Sequence, residues 1–328
     1  MNLLINATPA KKGGAKSVVE NYLENADFSS YDTVILLAPR AVEFQKKNIS
    51  RHVFIETNGF FSWFFSVFCV VWYVILFRAD TLISFNNVNL LLPVCKTKTY
   101  FHNLHIFNGN NFRFKLFRAT IKWFMRGKVF VFQSNYVKQE FENIFGTEYE
   151  LYVNWCGCDI PEQAGKVRHN GFDKFKVIVP IVEVNLDVKN FKFVGDRISL
   201  FIENNIDIIS LGPNTAVEDN IRYIGSQTKS DLFKLFIECD FMIMPSLYET
   251  VGLPIFEFAS TGKPVLVLNK PYLQGIAETI GLSTNIIPFE EDEFEFKLNE
   301  VIENYNNYIV EPLDRKHPLV RPNWSSLV

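Results

Sequence analysis

The sequence predicts an α/β protein of two domains, each a mostly parallel sheet covered by helices. Three observations predict it. The chain has 328 residues, and at roughly 100–200 residues per domain that length suggests two. Short apolar β runs alternate with longer helical stretches, the pattern of a parallel sheet wrapped by helices. Near residue 160 the composition turns polar, and the same alternation then starts again.

The elements follow in order. Leu3–Ala7 reads as a strand, followed by a Gly-containing turn and a helix near Ser17–Asn25. Thr33–Ala38 and His52–Glu56 are the next strands. Thr57–Phe77 is an uncharged apolar helix, and Thr81–Phe85 and Lys98–His102 are strands after it. A helix over Arg113–Arg126, a strand at Val129–Gln133 and a helix at Tyr136–Asn143 complete the first half. Ile160–Asp173 is polar, contains Pro161, Gly165 and Gly171, and reads as a linker. Beyond it, strands fall at Lys176–Pro180, Asp207–Leu211, Arg222–Ile224, Phe241–Pro245 and Pro264–Leu268. Helices fall near Lys189–Asn204, Lys229–Cys239, Leu253–Ser260 and Asp292–Tyr308. The boundaries expected are 1–160, 161–300, and a tail at 301–328 that packs back on the first domain. Each half reads as Rossmann-like. Such sheets bind ligands at the carboxyl ends of their strands, so the site is expected in a central cleft that both domains face.

Composition excludes several classes. Apolar residues are 48% and charged residues 21%, ordinary for a globular chain and wrong for a disordered one. The unusual figure is Phe, 33 residues. Net charge is −3, which argues against a dedicated nucleic-acid binder. Five cysteines are scattered, with only Cys156 and Cys158 close together and no second cluster at zinc spacing, so reduced thiols in a cytosolic protein are expected. No leader is read at the N-terminus. The 57–77 stretch is long enough to span a bilayer at ~30 Å. However, it lies between two short strands. If both strands join one parallel sheet, it is their crossover and at most lies on a membrane surface.

The densest cluster of chemistry is FMIMPSLYETVGLPIFEFASTGKPVLVL, Phe241–Leu268. An apolar strand ends at Pro245–Ser246, and a loop carries Glu249. Val251, Gly252 and Leu253 lead into a helix with Pro254 in its first turn, and Gly262 ends that helix. Free N–H groups at the helix start suit phosphate. Glu249 and Glu257 suit hydroxyls on either side of a diphosphate, one holding a sugar and the other a ribose. On spacing alone, two ordinary surface glutamates explain the pattern as well.

The segment PSLYETVGLPIFEFASTGKPVLV resembles the E-x7-E signature of retaining glycosyltransferases of family 4, matching it at Pro245, Ser246, Glu249, Gly252, Leu253, Pro254, Glu257, Ala259, Gly262, Pro264 and Val265. Asn220–Asp240, with Arg222 and Gly225, is similar to the family's preceding stretch. Val188–Phe191 resembles its H-K-N motif, with Lys189 placed to meet the donor diphosphate. The family's Arg some nine residues earlier is missing: VIVPIVEVNLDVK has none, and Arg222 is the expected substitute. Gly13 and Gly14 sit in a loop similar to the family's first loop. The loop is not a P-loop, because Ala10 holds the first Gly position and Ala15 precedes Lys16. YFHNLH and VFVFQSNYVK resemble stretches of O-antigen and capsule transferases. His102 falls where the family places a donor-sugar contact, and Asn103, His105 and Lys138 are weaker candidates.

The resemblance implies a GT-B fold and a retaining, metal-independent hexosyltransferase with no cofactor. Glu249, His102 and Lys189 would act at the sugar and its leaving group. Glu257, Gly252, Leu253, Val251, Gly225, Arg222, Gly13 and Gly14 would bind the donor. The implied partners are a nucleotide-sugar donor, a glycan or undecaprenyl-linked oligosaccharide acceptor, and the inner membrane surface, with no nucleic acid. A cytoplasmic protein, peripheral on the plasma membrane and active in bacterial O-antigen or capsule assembly, is the setting it points to. Three other readings remain: an integral membrane protein spanned by the 57–77 stretch, and two that share these residues. One is a nucleotide-sugar epimerase on the same fold. The other is a non-catalytic partner of another transferase, a reading the missing Arg favours.

Overall fold

A computed structural model describes residues 1–44, 49–161, 174–213 and 220–328. Most of the expected linker, residues 162–173, lies outside the described residues. The chain divides into two compact units. The first is residues 1–157 with 322–328, and the second is 158–321. Residues 301–321 therefore pack with the second unit, and only 322–328 with the first.

The first unit runs β1 (Asn2–Asn6), α1 (Gly13–Asn25), β2 (Thr33–Ala38), β3 (Arg51–Phe54), α2 (Gly59–Phe64), a π-helical turn (Phe65–Cys69), α3 (Val70–Leu76), β4 (Thr81–Ser84) and β5 (Lys96–Phe101). It continues with α4 (His105–Asn108), α5 (Phe112–Phe124), β6 (Val129–Phe132), α6 (Asn135–Phe145) and β7 (Glu150–Val153). Its sheet has the order β3-β2-β1-β4-β5-β6-β7, and every pairing is parallel. Strands covered on both faces need apolar residues throughout, and LLIN, VILLA and LIS are buried without alternation.

This order settles the role of the apolar stretch. β3 and β4 belong to one sheet, so α2, the π turn and α3 form the crossover between them. Val70 and Val74 pack on Leu4, Ile35, Leu37 and Leu82. Polar ties hold the crossover from below. Asn6 Nδ2 donates to Ser66 Oγ at 2.8 Å, and Asn86 Nδ2 donates to Ser66 Oγ at 2.6 Å. Asn86 also donates to the Ser62 carbonyl. A side chain on a helix carbonyl is one recognised cause of a disturbed ladder, and the π turn begins three residues later.

The second unit runs β8 (Phe175–Val179), α7 (Lys192–Gly195), α8 (Ile198–Glu203), β9 (Ile206–Ser210), β10 (Ile221–Tyr223), α9 (Lys229–Glu238) and β11 (Phe241–Met244). It ends with α10 (Leu253–Ala259), β12 (Val265–Leu268), α11 (Pro271–Ile280), β13 (Ile286–Phe289) and α12 (Phe294–Glu303). Its sheet has the order β10-β9-β8-β11-β12-β13, again all parallel.

The second unit corrects the expected helix at Lys189–Asn204. Residues Asp187–Lys189 form a 3-10 turn, which Asn190 ends in the left-handed region at φ 52°. Asn tolerates that conformation, and its Nδ2 is held by the Pro245 carbonyl at 3.2 Å. Two short helices, α7 and α8, replace the long one. β13, unforeseen, contains Pro288. It is an edge strand, where a residue without an N–H is tolerated.

Candidate active site

In the second unit, β11 delivers the chain to a loop whose end is fixed by Gly252. Gly252 caps α10 at φ 67° and ψ 50°. A Cβ there would lie 2.9 Å from Ile255 Cδ1, so both conformation and space call for glycine. Val251 is buried behind the turn, and Leu253 and Pro254 open the helix.

The loop brings Glu249 to Lys189. Lys189 Nζ donates to Glu249 Oε1 at 2.6 Å, with the carboxylate side chain 12% exposed and the lysine 26%. The two groups lie sixty residues apart in sequence. They meet because the Leu247 N–H donates to the Val188 carbonyl at 2.9 Å, zipping the 3-10 turn to the loop. The buried Tyr272 hydroxyl has no hydrogen-bond partner among the described residues. Burial raises its pKa, and the charge of Glu249 adds to that effect.

Glu257, on α10, is buried. Burial raises its pKa, and Lys229 pulls it partly back. Lys229 Nζ stands 3.6 Å from Glu257 Oε1 and also pairs with Asp159. The sequence reading missed Lys229. It opens α9 behind a Thr228 cap, so it reads as a surface helix-start lysine. Its one signal is the buried glutamate, which needs a cation nearby.

Lys263, in the G-K-P stretch, is a second missed residue, with a structural role. It is buried, and its ammonium donates to the Phe236, Ile237 and Cys239 carbonyls at the end of α9. Gly262, at φ 83°, lets the later chain approach: its carbonyl accepts from the Val310 N–H at 2.9 Å.

The other second-unit candidates lie toward the β10 edge of the sheet. Gly225, at φ 72°, donates its N–H to the Gly212 carbonyl at 2.9 Å beyond the ends of β9 and β10. Arg222 is exposed on the edge strand β10, beside Lys176, Asp207 and Asn220. Among the described residues it makes no ion pair with Glu249 or Glu257. In the first unit, Gly13 and Gly14 open α1 with clear space where a Cβ would stand, and Gly13 has φ 63°.

His102 follows β5, and its N–H donates to Asn87 Oδ1 at 2.8 Å. Its Nδ1 is buried without a hydrogen-bond partner among the described residues. Burial pushes its pKa down to about 4, against a smaller opposing pull from the Tyr100 carbonyl. It is therefore a neutral imidazole at pH 7. Asn103 accepts from the His105 N–H, while exposed His105 stacks on Phe114. Lys138 is half-buried on α6. Cys156 and Cys158 are both buried, and Cys158 Sγ donates to the Leu319 carbonyl.

Residues 165–304 match the family model described as glycosyl transferases group 1. No curated protein sequence matches the chain. Among solved structures, the sucrose-phosphate synthase of Thermosynechococcus elongatus is similar, with TM-score 0.71 at 12% identity over 99% of this chain and 96% of that one. Anabaena HepE in complex with UDP and glucose has TM-score 0.64 at 15% identity over 94% and 91%. WaaG, a glycosyltransferase involved in lipopolysaccharide biosynthesis, has TM-score 0.61 at 11% identity over 93% and 91%. The chain thus has two parallel-sheet Rossmann-like units matching GT-B glycosyltransferase structures, and its residues 165–304 are similar to the group 1 glycosyl transferases.

Proposed function

We propose that this protein is a retaining glycosyltransferase that moves a hexose from a nucleotide-sugar donor to a growing, lipid-linked glycan acceptor. The observation that carries this reading is the Lys189–Glu249 pair beside the left-handed Gly252 turn, inside the segment that matches the family model. In the reaction, the bond from the anomeric carbon to the diphosphate breaks with its electron pair going to the diphosphate oxygen, and the acceptor hydroxyl oxygen bonds to that carbon on the same face while its proton passes to the departing diphosphate. Negative charge grows on the leaving diphosphate. A lysine ammonium in a partly enclosed site stabilises that charge more than it would in water. The N–H groups after Gly252 add to it, and no metal is required.

Glu249 holds sugar hydroxyls once the diphosphate draws Lys189 away. Glu257, kept in place by Lys229, receives the ribose. In the first unit, neutral His102 offers an uncharged nitrogen to a sugar hydroxyl. The UDP bound in HepE and the lipopolysaccharide role of WaaG support a nucleotide donor and a surface-polysaccharide setting of the O-antigen or capsule type. A bacterial enzyme working on the cytoplasmic membrane face is the setting we assign.

A thermal-shift screen against UDP-, GDP- and TDP-sugars tests the reading, because a ligand bound only to the folded state raises the melting temperature. One donor class is expected to raise it. A flat response to all three sinks the proposal.

A further inference from the structure

We propose that the crossover helix and α5 together form a platform that docks on an anionic lipid surface. This deepens the membrane-surface setting assigned above and rests on it only for its biological sense.

The first observation is an exposed aromatic stripe. Phe61, Phe64, Phe68, Trp72 and Leu76 recur every three to four residues along the crossover and face solvent, with Trp72 73% exposed. The opposite stripe, Ser62, Ser66, Val70 and Val74, is buried. Exposed apolar patches of this extent mark an interaction surface.

The second observation is the neighbouring helix. Trp63 Nε1 donates to Thr120 Oγ1 at 2.8 Å, which ties the crossover to α5. α5 and the residue pair after it expose Phe112, Lys115, Lys122, Trp123 and Arg126, one stripe at helical spacing. Lys122 lies 5.5 Å from the Trp123 ring centre, and Arg126 lies 6.0 Å from it. Arg126 also pairs with Glu148 at 3.0 Å, so Lys115 and Lys122 are the cations free of an ion pair among the described residues. Aromatic rings with basic side chains beside them suit the boundary between headgroups and acyl chains.

The third observation is charge. Residues 57–139 hold ten Lys and Arg and one acid, Asp80, a net of +9. The whole chain is −3, so the rest carries −12. Of these cations, Lys115, Lys122 and Arg126 are exposed on the α5 stripe itself. A second copy meeting this face would set like charges against each other, which disfavours self-association through it. An anionic bilayer answers both the charge and the apolar stripe. Insertion across it is excluded by the shared sheet of β3 and β4.

The test is vesicle co-sedimentation of the full chain without donor or acceptor. Vesicles of phosphatidylcholine alone are compared with vesicles containing a third phosphatidylglycerol. Binding at least tenfold tighter to the anionic vesicles is expected. Lys115→Gln with Lys122→Gln is expected to weaken it about twenty-five-fold, at roughly fivefold per cation. Phe61→Ser with Trp72→Ser is expected to abolish it. These residues face solvent, and unchanged circular dichroism melting shows that each variant folds. Failure to sediment, equal binding to both vesicles, or variants that bind like the parent overturns the proposal. Sedimentation-velocity dimers that depend on Trp72, without vesicle binding, also overturn it in favour of a second copy. A donor-induced thermal shift that persists while vesicle binding fails removes the platform and leaves the transferase reading intact.

Discussion

Lys189 is paired with Glu249, and this makes its replacement informative. In Lys189→Met the ammonium that Glu249 meets at 2.6 Å is lost, and the carboxylate faces an apolar chain instead. A hydrogen bond to a charged group is worth about 1.5–3 kcal/mol, so nucleoside diphosphate affinity should fall roughly 10- to 150-fold. At a ligand concentration of about 100 times Kd, the parent gains about 2.7 kcal/mol. A hundredfold loss leaves about 0.4 kcal/mol, and at about 2–4 °C per kcal/mol the ligand-induced shift shrinks by about 5–9 °C. Each variant is read against its own ligand-free melting temperature, since an enclosed, unpartnered Glu249 also lowers stability. Glu249→Gln should act differently. It frees Lys189, so the bare nucleoside diphosphate binds as well as or better than before, while the preference for the sugar-bearing form disappears. Isothermal titration with both ligands reads this split. Equal weakening of both ligands in both variants, or a Lys189→Met affinity within twofold of the parent, refutes the assignment of lysine to diphosphate and glutamate to sugar.

Gly262→Ala should destabilise more than Gly252→Ala in urea unfolding. Its Cβ would meet the Val310 carbonyl oxygen at 2.3 Å, fixed backbone, whereas at Gly252 it meets the movable Ile255 methyl at 2.9 Å. We expect more than about 3 kcal/mol for the first and about 1–2 kcal/mol for the second. His102 adds a pH dependence. Its folded pKa lies below the ordinary 6.5, so the unfolded chain binds its proton first. The contribution is full above pH 6.5 and is lost as pH falls to about 4, up to about 3 kcal/mol. His102→Asn should flatten that limb of the stability profile, and an unchanged profile refutes the burial argument. EDTA should leave transfer rates unaltered. A loss restored by Mg²⁺ would overturn the metal-free proposal.

The fold was legible because both sheets are parallel and buried, so their strands appear as uninterrupted apolar runs such as VILLA and FMIM. What the runs could not reveal was edge detail. β13 hid behind Pro288, and the expected helix at 189–204 ignored the local preference of Asn190 for the left-handed region. The site was legible where one continuous stretch encoded it, from Glu249 to Gly262. It was opaque where distant residues meet. Lys229 and Glu257 are 28 positions apart, and no spacing rule joins them; burial of the carboxylate does. The pairing of Lys189 with Glu249 likewise depends on a loop-to-loop hydrogen bond between Leu247 and Val188.

The division of the chain into 1–157 with 322–328 also fixes an order of events during synthesis. Trp324 packs on Tyr22 and Tyr100, with ring centres 5.2 and 5.5 Å away, and its indole donates to Asn21. Lys98 donates to the Val328 carbonyl at 2.7 Å. The core of the first unit therefore waits for residues made 165 positions after Gly157. At 5–20 residues per second that is on the order of ten to thirty seconds on the ribosome. During that interval the aromatic pocket of Tyr22 and Tyr100 is open, and the second unit is the first that can complete its own core.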